Sequence, residues 1–130
     1  MTAAITTLRS TLATALTNAG VWSVFSYIPQ APIANSVVVV NDDPFIVVQS
    51  GQKTGIAPIA RYRIYGLVPM LDNQGNQINI EDFIVAIFAK LSAAALTMTI
   101  GSFSAPAILE TPAGNLLQTE VGVEIISSWS

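Results

Sequence analysis

The chain contains no cysteine and no histidine. Histidine is the most versatile general base near neutral pH and a common metal ligand, and cysteine supplies thiolate nucleophiles, disulfides and structural zinc sites. Their absence excludes Ser–His and Cys–His dyads, a disulfide framework and an ordinary zinc site. We therefore expect a protein that is not an enzyme, with no catalytic residue, no cofactor and no bound metal.

Charged residues are also scarce. Five basic and eight acidic residues make up 10 % of the 130-residue chain, and the net charge is -3. A compact monomer of 13.7 kDa exposes roughly 6,600 Å², so each charged side chain has about 500 Å² of surface, against about 200 Å² at the usual charged fraction. Soluble monomers avoid large uncharged apolar patches. The low charge therefore predicts a surface covered by identical copies or by lipid.

Two long stretches are candidate membrane spans: residues 10–41 contain no charged residue, and residues 83–109 contain only Lys90. Other residues within both stretches disfavour the lipid alternative. Gly20 and Pro29 interrupt the first stretch, and Lys90 lies in the middle of the second, which Pro106 also breaks. A membrane-spanning helix needs about 20 mostly apolar residues and tolerates a central lysine poorly. Residues 1–5 have no basic region ahead of the apolar residues, which predicts no signal peptide. We expect no membrane partner and synthesis in a cytosol.

Two amphipathic helices are predicted from apolar spacing. The first ends at Gly20 and places one apolar face at intervals of three and four: Ile5, Leu8, Leu12, Leu16 and Ala19. The second begins after a polar loop at residues 72–77, with Asn79 as its cap and Asp82 completing a capping box. Its predicted buried face contains Ile80, Phe83, Ile84, Ile87, Phe88 and Leu91.

The remaining chain reads mainly as strands. Residues 36–41 are almost entirely apolar, as in a strand covered on both faces. Residues 42–44, Asp-Asp-Pro, predict a turn into a hairpin partner at residues 45–49. From Pro58 the chain alternates, with one side expected to be buried and the other facing solvent or a partner. The first side carries Ala60, Tyr62 and Ile64, and the second carries Arg61, Arg63 and Tyr65.

Strands are also predicted at residues 96–103, 107–109 and 117–126, separated by short turns. Neighbouring strands joined by short turns pair antiparallel, and two helices suffice to cover one face of such a sheet. The sequence therefore predicts one α+β domain over residues 1–130, a mainly antiparallel sheet with both helices packed on one face.

Candidate ligand sites give only weak signals. Residues 72–83 resemble a calcium-binding loop but have Gln74, Gln77 and Phe83 at three of the positions that need oxygen ligands or glycine. Asp42 and Asp43 are adjacent on a predicted turn and are better explained as solvated. The strongest candidate surface is a partner-docking loop at a polar, glycine-bracketed tip, together with two arginines of the following strand: Gln52, Lys53, Thr54, Arg61 and Arg63.

The order of these elements and three stretches of sequence resemble the tail-terminator (tail-completion) proteins of long-tailed bacteriophages. The stretches are the short amino-terminal helix ending at Gly20, the proline-rich loop leading into residues 36–44, and residues 104–130, which close on Ser-Ser-Trp-Ser. The resemblance covers nearly the full length. The family has no catalytic motif, and we transfer none of its functional positions to this chain.

The resemblance implies a virion structural protein of the tail or neck, assembled in the host cytoplasm. Such a protein forms a ring, typically a hexamer, that caps the tail tube, ends its polymerisation and joins the tail to the head connector. The implied partners are further copies of the chain, the tail tube protein and a head-completion or connector protein. Genomic DNA would pass through the bore without sequence recognition, which the scarcity of cations favours.

Two alternatives stay open at this point. Within the structural class, the chain could be another neck or tail subunit, such as a head–tail adaptor or a tail tube protein. From a different class, it could be a small ligand-binding module that uses Trp22, Tyr62 or Tyr65 on a free sheet face.

Overall fold

A computed structural model describes most of the chain. The described residues are 4–18, 22–26, 34–48, 57–69, 73–112 and 114–129. The tip residues Gln52, Lys53 and Thr54 lie outside these ranges, as do Ala19 and Gly20. The first helix, predicted to end at Gly20, ends earlier, at Ala15.

Two helices and six strands make up the described fold. In chain order they are α1 (Ile5–Ala15), β1 (Ser23–Phe25), β2 (Ser36–Val47), β3 (Ile59–Pro69), α2 (Asn73–Ala93), β4 (Met98–Phe103), β5 (Ala107–Thr111) and β6 (Gly114–Ile126). The α+β class predicted from the sequence is confirmed.

All six strands form one sheet with the order β1-β2-β3-β6-β4, and β5 also pairs with β6. Only β1 and β2 pair in parallel; every other pairing is antiparallel. Strands β4 and β5 run along the same side of β6 as one interrupted strand. At the interruption, the Ser104 N–H donates to the Glu120 carbonyl at 2.8 Å and its hydroxyl oxygen accepts from the Glu120 N–H at 3.0 Å. These bonds keep the two halves aligned with β6.

One face of the sheet, called here the helix face, packs against both helices. The helices contribute buried leucine, isoleucine and phenylalanine side chains to its core: Leu8, Leu12, Leu16, Ile80, Phe83, Ile87 and Leu91. The sheet contributes alternate positions of β2, β3 and β6: Val37, Val39, Ala60, Tyr62, Ile64, Val68, Leu117, Val121, Val123 and Ile125. This period of two places their neighbours on the opposite surface.

Helix α2 packs closely on the sheet at Gly66 of β3. A Cβ atom at this position would lie 2.8 Å from Phe83 Cε1 and 2.9 Å from Ile87 Cδ1. Both distances are shorter than a normal van der Waals contact between carbon atoms. Any larger residue here would force Phe83 and Ile87 to shift, so glycine lets these two buried side chains of α2 rest on the strand.

The opposite surface, called here the far face, divides into two regions. Three of its side chains, Val38, Leu67 and Leu116, are buried in a small second apolar cluster. Partly buried apolar side chains pack around them: Phe25, Ala34, Val40, Tyr65 and Leu109. The second region is formed by charged side chains of β2, β3 and β6 and is described below.

Strand β3 confirms the predicted alternation, whereas the predicted turn at residues 42–44 is wrong. Strand β2 continues through these residues to Val47, with a shift of register against β3 between Asn41 and Ile46. The register shift accommodates Pro44, which cannot donate to the sheet, and Asp42 finds arginine partners on the neighbouring strand. A non-local pairing therefore overrides the local preference of Asp-Asp-Pro for a turn.

The predicted start of the second helix is also wrong. The helix begins at Asn73, so residues 73–77 belong to it and Asn79 lies inside it instead of capping it. Residues 73–79 contain no proline, and glutamine is a good helix former. Of the predicted apolar face, Ile84 is only partly buried and Phe88 is 49 % exposed.

Candidate partner-docking surface

The two arginines predicted to belong to a docking loop lie in the regular part of β3. Arg61 pairs with Glu124 and Arg63 with Gly122 in the β3–β6 register. Both side chains lie on the far face, because Ala60, Tyr62 and Ile64 occupy the helix face. The structure therefore places Arg61 and Arg63 on a central strand. The other three residues of the predicted docking loop, Gln52, Lys53 and Thr54, lie outside the described ranges.

Arg61 and Arg63 form a network with three carboxylates. Arg61 lies 3.4 Å from Asp42 Oδ2 and 3.5 Å from Glu124 Oε1. Arg63 lies 3.0 Å from Asp42 Oδ1 and 3.4 Å from Glu120 Oε2. Asp42 thus bridges the two arginines, and each arginine also contacts one glutamate of β6. We call these five side chains the ion-pair network.

Asp42 is the most enclosed member of the network, with 10 % of its side chain exposed. Besides the two arginines, its Oδ1 accepts the N–H of Asp43 at 2.8 Å. A hydrogen bond with Tyr65 and the carboxylates of Asp42 and Glu120 raise the pKa of Arg63 above its ordinary value. The network contains three acidic and two basic groups, so it carries a net charge of -1 and offers little free positive charge.

A shallow depression of about 330 Å³ opens beside the network, between β2, β3, β6 and β4. Arg61, Asp42 and Glu124 form one side, and Thr99 and Ser102 of β4 form the other. Gly122 lies on its floor, and a Cβ atom added there would meet nothing within 4 Å. The lining of the depression is as polar as it is apolar, whereas small-molecule sites are lined predominantly by apolar groups.

Two of the three aromatic side chains considered for ligand binding, Trp22 and Tyr62, lie in the core of the helix face and not on the open far face. Trp22 is 6 % exposed, packs against Phe83 with the ring centroids 5.0 Å apart and the planes tilted by 54°, and donates its indole N–H to the Leu16 carbonyl at 2.8 Å. Tyr62 is 1 % exposed beneath the helices. Only Tyr65 of the three lies on the far face, where it is partly buried. Core packing accounts for Trp22 and Tyr62.

The outer surface of α2 is unusually apolar. Val85 is 68 % exposed and Phe88 is 49 % exposed. Val85 lies three positions before Phe88 and four before exposed Ala89, so it neighbours both on the helix surface. On its other side Val85 neighbours the exposed acidic residues Glu81 and Asp82, which border the apolar positions. This part of the helical layer resembles the apolar centre of a subunit contact more than a solvated surface.

Sequence reasoning missed Asp42, Glu120 and Glu124 as members of one surface. The alternation of β3 correctly placed Arg61 and Arg63 on one side, and the same period places Glu120 and Glu124 together on β6. The missing information was the register between strands far apart in sequence. Only that register shows which carboxylate faces which guanidinium.

In comparisons with known proteins, no family model and no curated protein matches this chain. Within the described ranges, no group of three or more acidic side chains is arranged to hold a metal ion. Neither helix in the described part of the chain has the combination of length and apolar character that a membrane crossing requires.

Proposed function

We propose that the chain is a virion structural protein that resembles the phage tail terminator. In this proposal, copies of the chain form a ring, typically a hexamer, at the end of the tail. The ring caps the tail tube, ends its polymerisation and joins the tail to the head connector. Its partners are the tail tube protein, a connector or head-completion protein, and DNA that passes through the bore without sequence recognition. The ring assembles in the host cytoplasm.

The observation that carries this proposal is the character of the exposed surface. The five basic and eight acidic side chains share 7333 Å², about 560 Å² each, compared with about 200 Å² at the usual charged fraction. Val85 and Phe88 on α2 are exposed apolar side chains within that surface. Contacts between obligate subunits are depleted in charge and enriched in apolar groups, so such a surface fits repeated contact between copies.

The ion-pair network supports the proposed passage of DNA. Arg61 and Arg63 are both within 3.5 Å of carboxylates. Paired cations contribute less attraction to a phosphate backbone than free ones, because that attraction depends on the net charge presented. A surface of this kind lets DNA move along it without being held.

The direct test is to purify the full chain and examine it by sedimentation velocity and negative-stain electron microscopy. A terminator is expected to form discrete rings that do not grow with concentration. Long tubes would support the tail tube alternative instead. A strictly monomeric species at every concentration would overturn the ring proposal.

A variant can locate the contact. Phe88→Lys adds a charge to the exposed apolar part of α2 and should abolish rings without lowering the melting temperature. Thr6→Lys is the control, because it adds the same charge to an exposed position on the other helix, α1. If the Phe88→Lys variant still forms rings, this part of α2 is not in the contact between subunits.

A further inference from the structure

Strand β4 contains a β-bulge opposite Gly122 of β6. In the β4–β6 register, Ile100 and Phe103 pair with β6 residues that are only two positions apart. Gly101 and Ser102 therefore share one opposing residue, Gly122, and two residues against one define a bulge. Bulges often occur beside functional sites, where they redirect a side chain.

The bulge moves Ser102 onto the far face. Ile100 packs against the core of the helix face, and an uninterrupted period of two would place Ser102 on that face as well. Phe103 packs against that core instead, and Ser102 lines the depression beside the ion-pair network. Gly101 and Gly122 also line the depression and have no side chains to fill it. The extra residue of β4 therefore helps to shape the depression.

The charged groups of the depression favour a ligand that donates hydrogen bonds. Arg61, the basic residue among the described residues that line it, has an acceptor within 3.5 Å of each of its three nitrogens. Its Nη1 donates to the Pro44 carbonyl, Nη2 lies beside Asp42, and Nε lies beside Glu124 Oε1. The Glu124 side chain is 53 % exposed, and its Oε2 is open to a further donor. Two carboxylates and one guanidinium give the lining a net charge of -1, which attracts a cation and repels an anion.

Exposed apolar surface borders the depression on the far face. Val47, Ile59 and Ile126 lie side by side in the β2–β3 and β3–β6 registers and are called here the apolar row. Ile126 is 41 % exposed and lies two residues beyond Glu124 on the same side of β6. Apolar side chains next to polar groups are typical of contacts between proteins. The surroundings of the depression therefore fit a protein segment better than a free small molecule.

We infer that the depression receives a basic side chain, lysine or arginine, from a different protein, and that an apolar side chain of the same segment rests on the apolar row. Of the five basic residues of this chain, three are engaged within the subunit: Arg9, Arg61 and Arg63. Only Lys53 and Lys90 remain, so a second copy is a poor source of this side chain. The contact does not depend on ring formation.

Short peptides test the chemistry of the occupant. The probe is acetyl-Arg-Gly-Leu-amide, whose basic and apolar side chains lie two positions apart, as Glu124 and Ile126 do on β6. The analogue with citrulline in place of arginine has nearly the same shape and no charge. Amide chemical shifts of Gly101, Ser102 and Gly122 report binding to the full chain. The arginine peptide should bind at least about threefold more tightly than the citrulline peptide.

Two variants and a control locate the site. Glu124→Gln removes the open carboxylate and should lower the affinity for the arginine peptide to that for the citrulline peptide. Glu110→Gln is the matched control, because it removes the same charge from an exposed position of β5 outside the depression, and it should leave both affinities unchanged. Gly122→Val places a side chain in the open space above β6 and should weaken binding of both peptides severalfold, while the melting temperature shows that the fold persists.

Equal affinity for the arginine and citrulline peptides, or an equal loss in Glu110→Gln and Glu124→Gln, would overturn the inference. Tighter binding of acetyl-Glu-Gly-Leu-amide or of a short single-stranded DNA at the same amides would also overturn it, because the depression would then bind anions. Rings seen by sedimentation together with any of these results would leave the proposed function standing and remove only this contact.

Discussion

The two faces of one sheet are stabilised in different ways. The helix face buries a continuous apolar core, with close contacts such as Phe83 and Ile87 on Gly66. The far face combines a small apolar cluster with the ion-pair network and an unfilled space above Gly122. The comparison indicates that the helix face provides most of the folding stability. The charged part of the far face is therefore expected to tolerate substitution better than the helix face.

The strongest test of this comparison is removal of a large side chain from the helix face. Phe83→Ala should lower the free energy of unfolding by about 3 to 5 kcal/mol, because Phe83 is 6 % exposed and its removal leaves a cavity. Phe88→Ala on the same helix should cost less than about 1 kcal/mol, because Phe88 is 49 % exposed. Denaturant unfolding measures both. Equal losses would mean that the outer surface of α2 is also covered in the free protein.

The second test adds atoms instead of removing them, at one glycine on each face. Gly66→Ala should cost about 1 to 3 kcal/mol, since the added methyl group would overlap Phe83 and Ile87. Gly122→Ala, where the methyl group meets nothing within 4 Å, should change stability by less than about 1 kcal/mol. Unfolding curves in urea give both values. A large loss at Gly122 would contradict the described difference in packing.

The third test concerns the ion-pair network. Asp42→Asn should lower stability by about 1 kcal/mol, because partly exposed ion pairs contribute little and each arginine keeps a glutamate partner. Asp43→Asn, at an exposed neighbour, should have a smaller effect.

The same Asp42 variant should raise affinity for DNA at low salt, measured by filter binding, since it shifts the network charge from -1 to zero. An unchanged affinity would mean that the charge of the ion-pair network has no influence on DNA binding.

The smallest effect is a pH dependence on the helix face. Burial raises the pKa of Tyr62 above 10.0, although nearby Arg9 opposes this shift. Above pH 10 the phenol deprotonates first in the unfolded chain, so stability present below that pH is lost as pH rises towards the higher folded pKa. Tyr62→Phe should reduce this loss. Tyr65→Phe on the far face is the matched control, and denaturation midpoints at about pH 8 and pH 11 provide the measurement.

The spacing of apolar residues within short stretches of sequence correctly predicted which sides of α1 and β3 are buried. The spacing of Leu8, Leu12 and Leu16 correctly gave the buried side of α1, and the alternation around Tyr62 correctly gave the orientation of β3. The α+β class followed from the order of these elements. Their periods are set by backbone geometry and therefore appear directly in the sequence.

Features that depend on distant residues could not be predicted in the same way. Asp42 was interpreted as part of a turn because its partners, Arg61 and Arg63, come from another strand. The start of α2 was missed because residues 73–77 are polar residues and one glycine and show no apolar face. The ion-pair network needs the β2–β3 and β3–β6 registers at once, which no single stretch of sequence contains.

Helix α1 has a consequence for how the protein meets water. The hydroxyls of its outer residues, and of Thr17 just after its end, donate to backbone carbonyls three or four positions earlier: Thr7, Ser10, Thr11, Thr14 and Thr17. Since these donors are already satisfied within the helix, water bound there is held mainly through acceptor lone pairs. Another protein surface that displaces this water strands no hydroxyl proton, so only donors on that surface are needed to replace the water's hydrogen bonds to α1.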